Sequence, residues 1–212
     1  IGVNSLGYDS RDIVIDDSQR KADCADKDPT RDPAAYRKCL RAGPQPDIYL
    51  ANRTPSSLVV GKMTADGSYA SGSNDLPSFT DSIALTTGPS RLVRGAVRVP
   101  PDKTHVADAT HGLTDDRGAN YGTYDLEPRI FIVCFDSTSI FVYDPVRHVI
   151  DSIVDVGRGP YAMAVDEVRG LAYVGFFTDS YLGVVSLDQR YRQTYATVIA
   201  SIGTPTPPRS SK

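Results

Sequence analysis

No stretch of this chain is apolar over the ~18–20 residues that a membrane-crossing helix needs, so no transmembrane helix is expected. Neither sign of charge dominates. Lys and Arg number 23 against 26 Asp and Glu, a formal net charge of -3, which lacks the basic footprint of a nucleic-acid or anionic-membrane binder. Tryptophan is absent, and His and Cys number three each. The cysteines show no Cys-x-x-Cys spacing and have no histidine nearby, which argues against a metal site built on them. Also missing are a Gly-x-Ser-x-Gly nucleophile elbow and a phosphate-cradling glycine loop. The acidic run Asp16, Asp17, Asp23, Asp26, Asp28 and Asp32 lacks the Asp-x-Asp-x-Asp-Gly calcium loop with its terminal Glu. The chain opens on Ile rather than Met, so an upstream or removed segment is expected, and a cleaved signal peptide would leave no trace.

What the chain does hold is ordinary for a folded protein: 40% hydrophobic and 23% charged residues over 212 positions, enough for one sizeable core or two small ones. Two sequence elements recur in alternation. The first is a hairpin, seen as DIYLANRTPSSLVVG (residues 47–61), RIFIVCFDSTSIFVYD (129–144) and LAYVGFFTDSYLGVVSLD (171–188). Each copy is an apolar, aromatic-containing strand, a turn rich in Ser, Thr, Asp or Pro, and a second apolar strand. The second element is an outer strand that leaves through a Gly-Pro or Gly-Thr-Pro turn, in DSIALTTGPS, DSIVDVGRGPYAMAVD and ATVIASIGTPTPP. Glycine there supplies unusual backbone angles and proline fixes the way out.

Set in order, these elements read as an all-β fold of β-propeller type, with about three four-stranded antiparallel blades and one short helical insertion. Blade one spans residues 12–85, blade two 91–156, blade three 161–202, and residues 203–212 form a tail. The outer strands of blades two and three are expected at 148–156 and 194–202, so that His148 opens a strand and is structural. Three blades cannot close a ring of about four to eight, so a larger ring is expected. Blade three is compact, and against it three insertions stand out: residues 17–45 and 63–80 in blade one, and 100–128 in blade two. All fall on first-to-second or third-to-fourth strand connections, which an antiparallel meander places at one end, so they are expected on one face.

The helix belongs to the first insertion. Asp32 is a good N-cap, Pro33 fits the first helical position, and Gly43-Pro44 is a stop. Tyr36, Cys39 and Leu40 share one face by their spacing. Cys24 and Cys39 both lie in this polar insertion, whereas Cys134 sits in the apolar run IFIVCF. The expected arrangement is a Cys24–Cys39 disulfide with Cys134 buried and free, which fits an oxidising compartment; two unpaired surface thiols are the alternative.

The turn GRGPYAMAV followed by LAYVGFF and YLGVVSLD resembles the Tyr-Val-Thr-Asn type of bacterial β-propeller repeat. The segments GFFTDSYLGVVSLDQR and IGTPTPPRSSK are similar to the C-terminal blade of bacterial, particularly myxobacterial, predicted lipoproteins or secreted propellers of undefined function. The resemblance implies an extracytoplasmic location in periplasm, cell surface or medium, and further blades N-terminal to Ile1 in one precursor or on another chain. The lack of Trp disfavours a Trp-Asp repeat propeller.

Two functional expectations compete. One is a non-enzymatic scaffold or binding subunit that presents the inserted loops to envelope proteins, with no cofactor and no nucleic acid. In it the loop residues His105, Asp108, His111, Asp115, Asp116 and Tyr121 contact the partner; a metal or acid/base site drawn from them would need a geometry that a His-x5-His spacing in a Gly-rich loop does not supply. The other is a propeller enzyme of lactonase-like or quinoprotein-like type. Its central-channel site would need converging polar groups on the innermost strands, which offer Arg91, Arg94 and Arg98 in one blade but Tyr161, Met163 and Asp166 in the next.

Overall fold

The computed structural model describes residues 9–63, 78–86, 88–100, 124–179 and 181–204. Two compact units divide the chain, Ile1–Thr86 and Thr87–Lys212. In the first, β1 (Ser10–Asp16), β2 (Asp47–Arg53), β3 (Ser56–Lys62) and β4 (Ser78–Ala84) form one antiparallel sheet in chain order. Two helices, α1 (Ser18–Asp23) and α2 (Pro33–Ala42), lie in the connection from β1 to β2. The second unit holds two further four-stranded meanders. One is β5 (Pro89–Val99), β6 (Asp125–Cys134), β7 (Ser139–Asp144) and β8 (Val149–Asp155); the other is β9 (Pro160–Asp166), β10 (Leu171–Phe176), β11 (Leu182–Ser186) and β12 (Val198–Ile202). Among the described residues the fold is therefore all-β with three open sheets, none of which closes on itself.

The repeat extends to the hydrogen-bond register. In each meander a residue at or just past the end of the second strand donates its N–H to the carbonyl before the first: Arg53 to Asp9 at 2.8 Å, Phe135 to Gly88 at 2.7 Å and Phe177 to Gly159 at 2.8 Å. Two residues after that carbonyl the first strand bulges, leaving Arg11, Ser90 and Tyr161 without a Cα partner. The fourth strand bulges as well, at Thr80, Asp151 and Ile199. Bulges are placed features that bend and twist a strand, and two of them at matching registers in three sheets mark one structural unit used three times. The Gly-Pro turns serve the same unit. Gly88 and Gly159 take φ of +82° and +65°, where an L side chain is disfavoured, and the next residue, Pro89 or Pro160, starts β5 or β9.

In the second unit the two sheets share one core. Val97, Phe131, Val133, Ile140 and Val142 from the first pack with Ala172, Val174 and Val185 from the second. Gly95 on β5 is required by this approach, since a Cβ there would stand 2.9 Å from a Val165 side-chain carbon. Cys134 is free and fully buried, and burial pushes its thiol up to about 12.

Several boundaries differ from expectation. A second helix, α1, has no side-chain cap at Asp17 and only six residues; its clearest local support is a Lys21–Asp17 pair at 3.0 Å, too weak a pattern to stand out in sequence. Strand β6 begins at Asp125 rather than after Pro128, because β5 pairs with it from the Val99–Asp125 pair, whereas β7 joins only from Ile130. Pro128 thus occupies a stretch paired on one side, where a missing N–H is tolerated. Strand β12 starts at Val198 and not at 194. Thr194 and Tyr195 turn back instead, with Thr194 and Tyr195 N–H both donating to the Tyr191 carbonyl at 2.9 Å. His148 sits in the turn before β8 with φ 57°, and its Nδ1 lies 3.1 Å from the Tyr143 hydroxyl.

Candidate functional site

The candidate site is the sheet end from which the long connections leave. In the first unit the β1–β2 and β3–β4 connections both depart from the end defined by Asp16 opposite Asp47 and Lys62 opposite Ser78. In the second unit the segment 101–123 joins β5 to β6 beyond the Val99–Asp125 pair. His105, Asp108, His111, Asp115, Asp116 and Tyr121 lie outside the described residues. What the structure shows is how the stems of that segment are held.

The two stems meet in a stack. Arg98 near the end of β5 places its guanidinium 4.1 Å from the Tyr124 ring centroid, and Arg190 approaches the same ring at 5.1 Å. Asp188 accepts from Arg190 Nε at 2.8 Å and from a terminal nitrogen at 2.6 Å, and faces Arg98 at 3.7 Å. Arg98 Nε donates to the Glu167 carbonyl at 3.3 Å. The backbone joins in: Arg98 N–H donates to Leu187 O at 3.0 Å and Gln189 N–H to Arg98 O at 2.8 Å. Three connections, 100–124, 167–170 and 187–197, are thereby tied together through one arginine. Arg98 and Asp188 are buried, where a charge persists only if paired and hydrogen-bonded. Burial pushes the Asp188 carboxyl up, but the side-chain and backbone hydrogen bonds to Arg190, with the charges of Arg190 and Arg98, outweigh it and leave the group below the usual carboxylate range.

A second ionic network stands at the same end. Arg129, fully buried on β6, donates to Glu127 at 2.8 Å and to the Pro128 carbonyl at 2.9 Å, and lies 3.4 Å from Asp144. Arg147 reaches both carboxylates, at 3.6 and 3.4 Å. Asp151, the bulged residue of β8, accepts from Tyr195 Oη and from Gln189 at 3.3 Å, which links β8 to the 187–197 connection. Burial first, and then the bond to Asp151, push the Tyr195 hydroxyl up to about 12. Asp144 also accepts the N–H groups of Val146 and Arg147, at 2.8 and 3.0 Å, and Asp166 that of Arg169 at 2.9 Å. The arginines and carboxylates pair with one another, although the buried Arg129 Nε makes no hydrogen bond and lies 3.9 Å from Asp151; among the described residues this chemistry braces the loop stems. Among the described residues no group of three or more His, Cys, Asp and Glu is placed to hold a metal ion.

The first insertion is braced covalently. Cys24 is bonded to Cys39 and fully buried. Asp32 accepts the Ala35 N–H at 2.9 Å and caps α2, on which Ala35, Tyr36, Cys39 and Leu40 are the half-buried residues.

Sequence reasoning singled out none of Tyr124, Arg129, Asp144, Asp188 and Arg190. A signal existed for some of them. Both DPVR (144–147) and DEVR (166–169) put Arg three residues after a turn-capping Asp, and the register of the 130–143 hairpin sets Arg129 opposite Asp144.

An open groove of about 470 Å³ lies elsewhere, on the outer face of the β9–β12 sheet. Ala162, Gly175, Leu182 and Ile202 form its floor, and Tyr161, Phe177 and Tyr181 its rim.

Comparison of the chain with protein-family models and with curated proteins finds no match.

Proposed function

We propose that this chain is a non-enzymatic scaffold or binding subunit, part of an extracytoplasmic β-propeller of the Tyr-Val-Thr-Asn type. It offers its inserted segments on one face to an envelope protein partner, with the remaining blades supplied by the same precursor or by another chain. The observation that carries this reading is the bracing of the long connections. Extended loops are departures from a compact repeat, and the stems of segment 101–123 are fastened by buried charges and a cation–π stack around Arg98, Tyr124, Asp188 and Arg190. Binding surfaces of this kind put variable segments on a rigid frame. The matching bulges and registers of the three meanders support a blade-type repeat. The Cys24–Cys39 disulfide supports an oxidising compartment, and no described helix is long and apolar enough to cross a membrane.

The test replaces residues 101–123 with a short Gly-Ser linker, keeping Arg98 and Tyr124. Intact and shortened chains are each used to retain proteins from an extracytoplasmic fraction. A partner held by the intact chain and lost by the folded, shortened one supports the reading. Equal retention by both removes this loop from the binding face.

A further inference from the structure

The first insertion segregates its charge. Its carboxylates all precede α2 in the chain, and each is already engaged. Asp17 pairs with Lys21 at 3.0 Å, Asp28 with Arg31 at 3.5 Å, and Asp26 with Lys27. Asp23 accepts from Gln19 at 2.7 Å, and Asp32 is turned to the helix cap. α2 itself, PAAYRKCLRA, carries Arg37, Lys38 and Arg41 and no acid. All three cations are exposed, and among the described residues no ion pair engages them. Arg37 Nε donates to the Pro33 carbonyl one turn back, at 3.0 Å.

Spacings of three and four residues put these cations on one side of the helix. The half-buried Tyr36, Cys39 and Leu40 lie on the opposite side. The chain holds this helix in place without using it as core: no residue of α2 is fully buried, and the Cys24–Cys39 bond and the Asp32 cap fix it instead. Like charges four residues apart, as Arg37 and Arg41 are, destabilise a helix. An anionic partner turns that cost into a gain.

The geometry narrows the chemistry of that partner. A helix that lies on a membrane sets apolar side chains beside its cations to enter the lipid, whereas here they are on the far side. A nucleic acid calls for a wider basic footprint, and the whole chain carries a net charge of -3. From Arg37 to Arg41 the helix rises about 6 Å. Alternate side chains of an extended segment stand about 7 Å apart, and a guanidinium matches a carboxylate through two hydrogen bonds.

We infer that the basic side of α2 docks an extended acidic segment of a partner protein, of Glu-x-Glu pattern, with one carboxylate on Arg37, the next on Arg41 and Lys38 beside them. The inference rests on the binding-subunit reading above and names the chemistry of the partner.

The probe is a fluorescein-labelled peptide of repeated Glu-Ser, titrated with the intact, disulfide-bonded chain and followed by anisotropy. Saturable binding that weakens as salt rises is expected. Arg37→Glu, Lys38→Glu and Arg41→Glu should each weaken it by about three- to tenfold. Arg192→Glu makes the same change in net charge at an exposed position outside the insertion and should leave binding unchanged. Should circular dichroism show that a Glu variant disturbs the helix, the combined Arg37→Gln, Lys38→Gln and Arg41→Gln variant carries the same arm. Gln keeps helix propensity while removing charge, and this variant should lose the peptide. An intact chain that shows no saturable binding overturns the inference, as does equal weakening by Arg192→Glu, which belongs to net charge alone. Binding to phosphatidylglycerol vesicles but not to the peptide, lost in the Gln variant, also overturns it in favour of a lipid surface. The peptide is read without segment 101–123, so failure here is distinct from equal retention by the intact and shortened chains, which counts against the binding-subunit reading.

Discussion

Arg98 and Asp188 meet where neither is open to water, and their pairing decides how this end of the second unit responds to acid. The Asp188 carboxyl titrates below the usual carboxylate range in the folded chain. A depressed folded value means that its stabilising contribution is fully present above the unfolded value of about 3.9 and is lost as pH falls through the folded value. Asp188→Asn should therefore lower the denaturant midpoint at neutral pH and flatten its decline between about pH 5 and pH 2, measured by urea titration followed by fluorescence of the tyrosines. A variant whose acid profile overlays that of the parent would show that Asp188 contributes no linkage. Residue-level legibility was uneven. Asp47 and Lys62 stand at the same hairpin register as Arg129 and Asp144. Both are cross-strand ion pairs with their signs exchanged, and both follow from the hairpin centre alone. The first is exposed, with a 2.6 Å contact, and is worth little; the second is buried. Sequence analysis singled out neither pair, although the hairpin centre carried the signal for both, and the burial could not be read at all, because it depends on which sheet face another sheet covers.

At the level of elements, α2 was readable because its limits are local chemistry: an Asp cap, a Pro at the first position, a Gly-Pro stop. The shorter α1 has no such marks. Neither helix has a fully buried residue, so the first insertion depends on its covalent tie more than on core packing. The link spans 15 residues in sequence, and a closed loop of that order stabilises by about 3 kcal/mol through the entropy of the unfolded chain. Replacing Cys24 and Cys39 together by Ser should lower unfolding free energy by about that amount and speed proteolysis of residues 17–46, read by denaturant titration and by mass spectrometry of early fragments. A loss well under 1 kcal/mol with unchanged cleavage would show the insertion to be held by other contacts.

Each of the three sheets is a copy of one meander, and within each unit the long connections leave the sheet from the same strand ends. Removing an addition while keeping its stems should then leave the frame intact. Shortening 101–123 to a linker between Pro100 and Tyr124 is expected to change unfolding free energy by no more than about 1 kcal/mol, since loop-closure entropy varies slowly with length. A larger loss in calorimetry or urea titration would mean that the segment packs on the sheet as part of its core. The Cys24–Cys39 bond and the order of the twelve described strands agree with what alternation, turn residues and the placing of two cysteines in one polar insertion predict. By itself the sequence determined strand order, the three hairpins and the Gly-Pro turns, because these are set by side-chain period and backbone sterics within a few residues. Only the tertiary structure decided that Arg98, Tyr124, Asp188 and Arg190 converge, that Ile13 and Ile15 stay about half exposed while Ile48 and Val59 on the same face are buried, and that Gly95 lies too close to Val165 for a side chain. Those facts depend on which faces of separately folded meanders come together, and no local pattern encodes that choice.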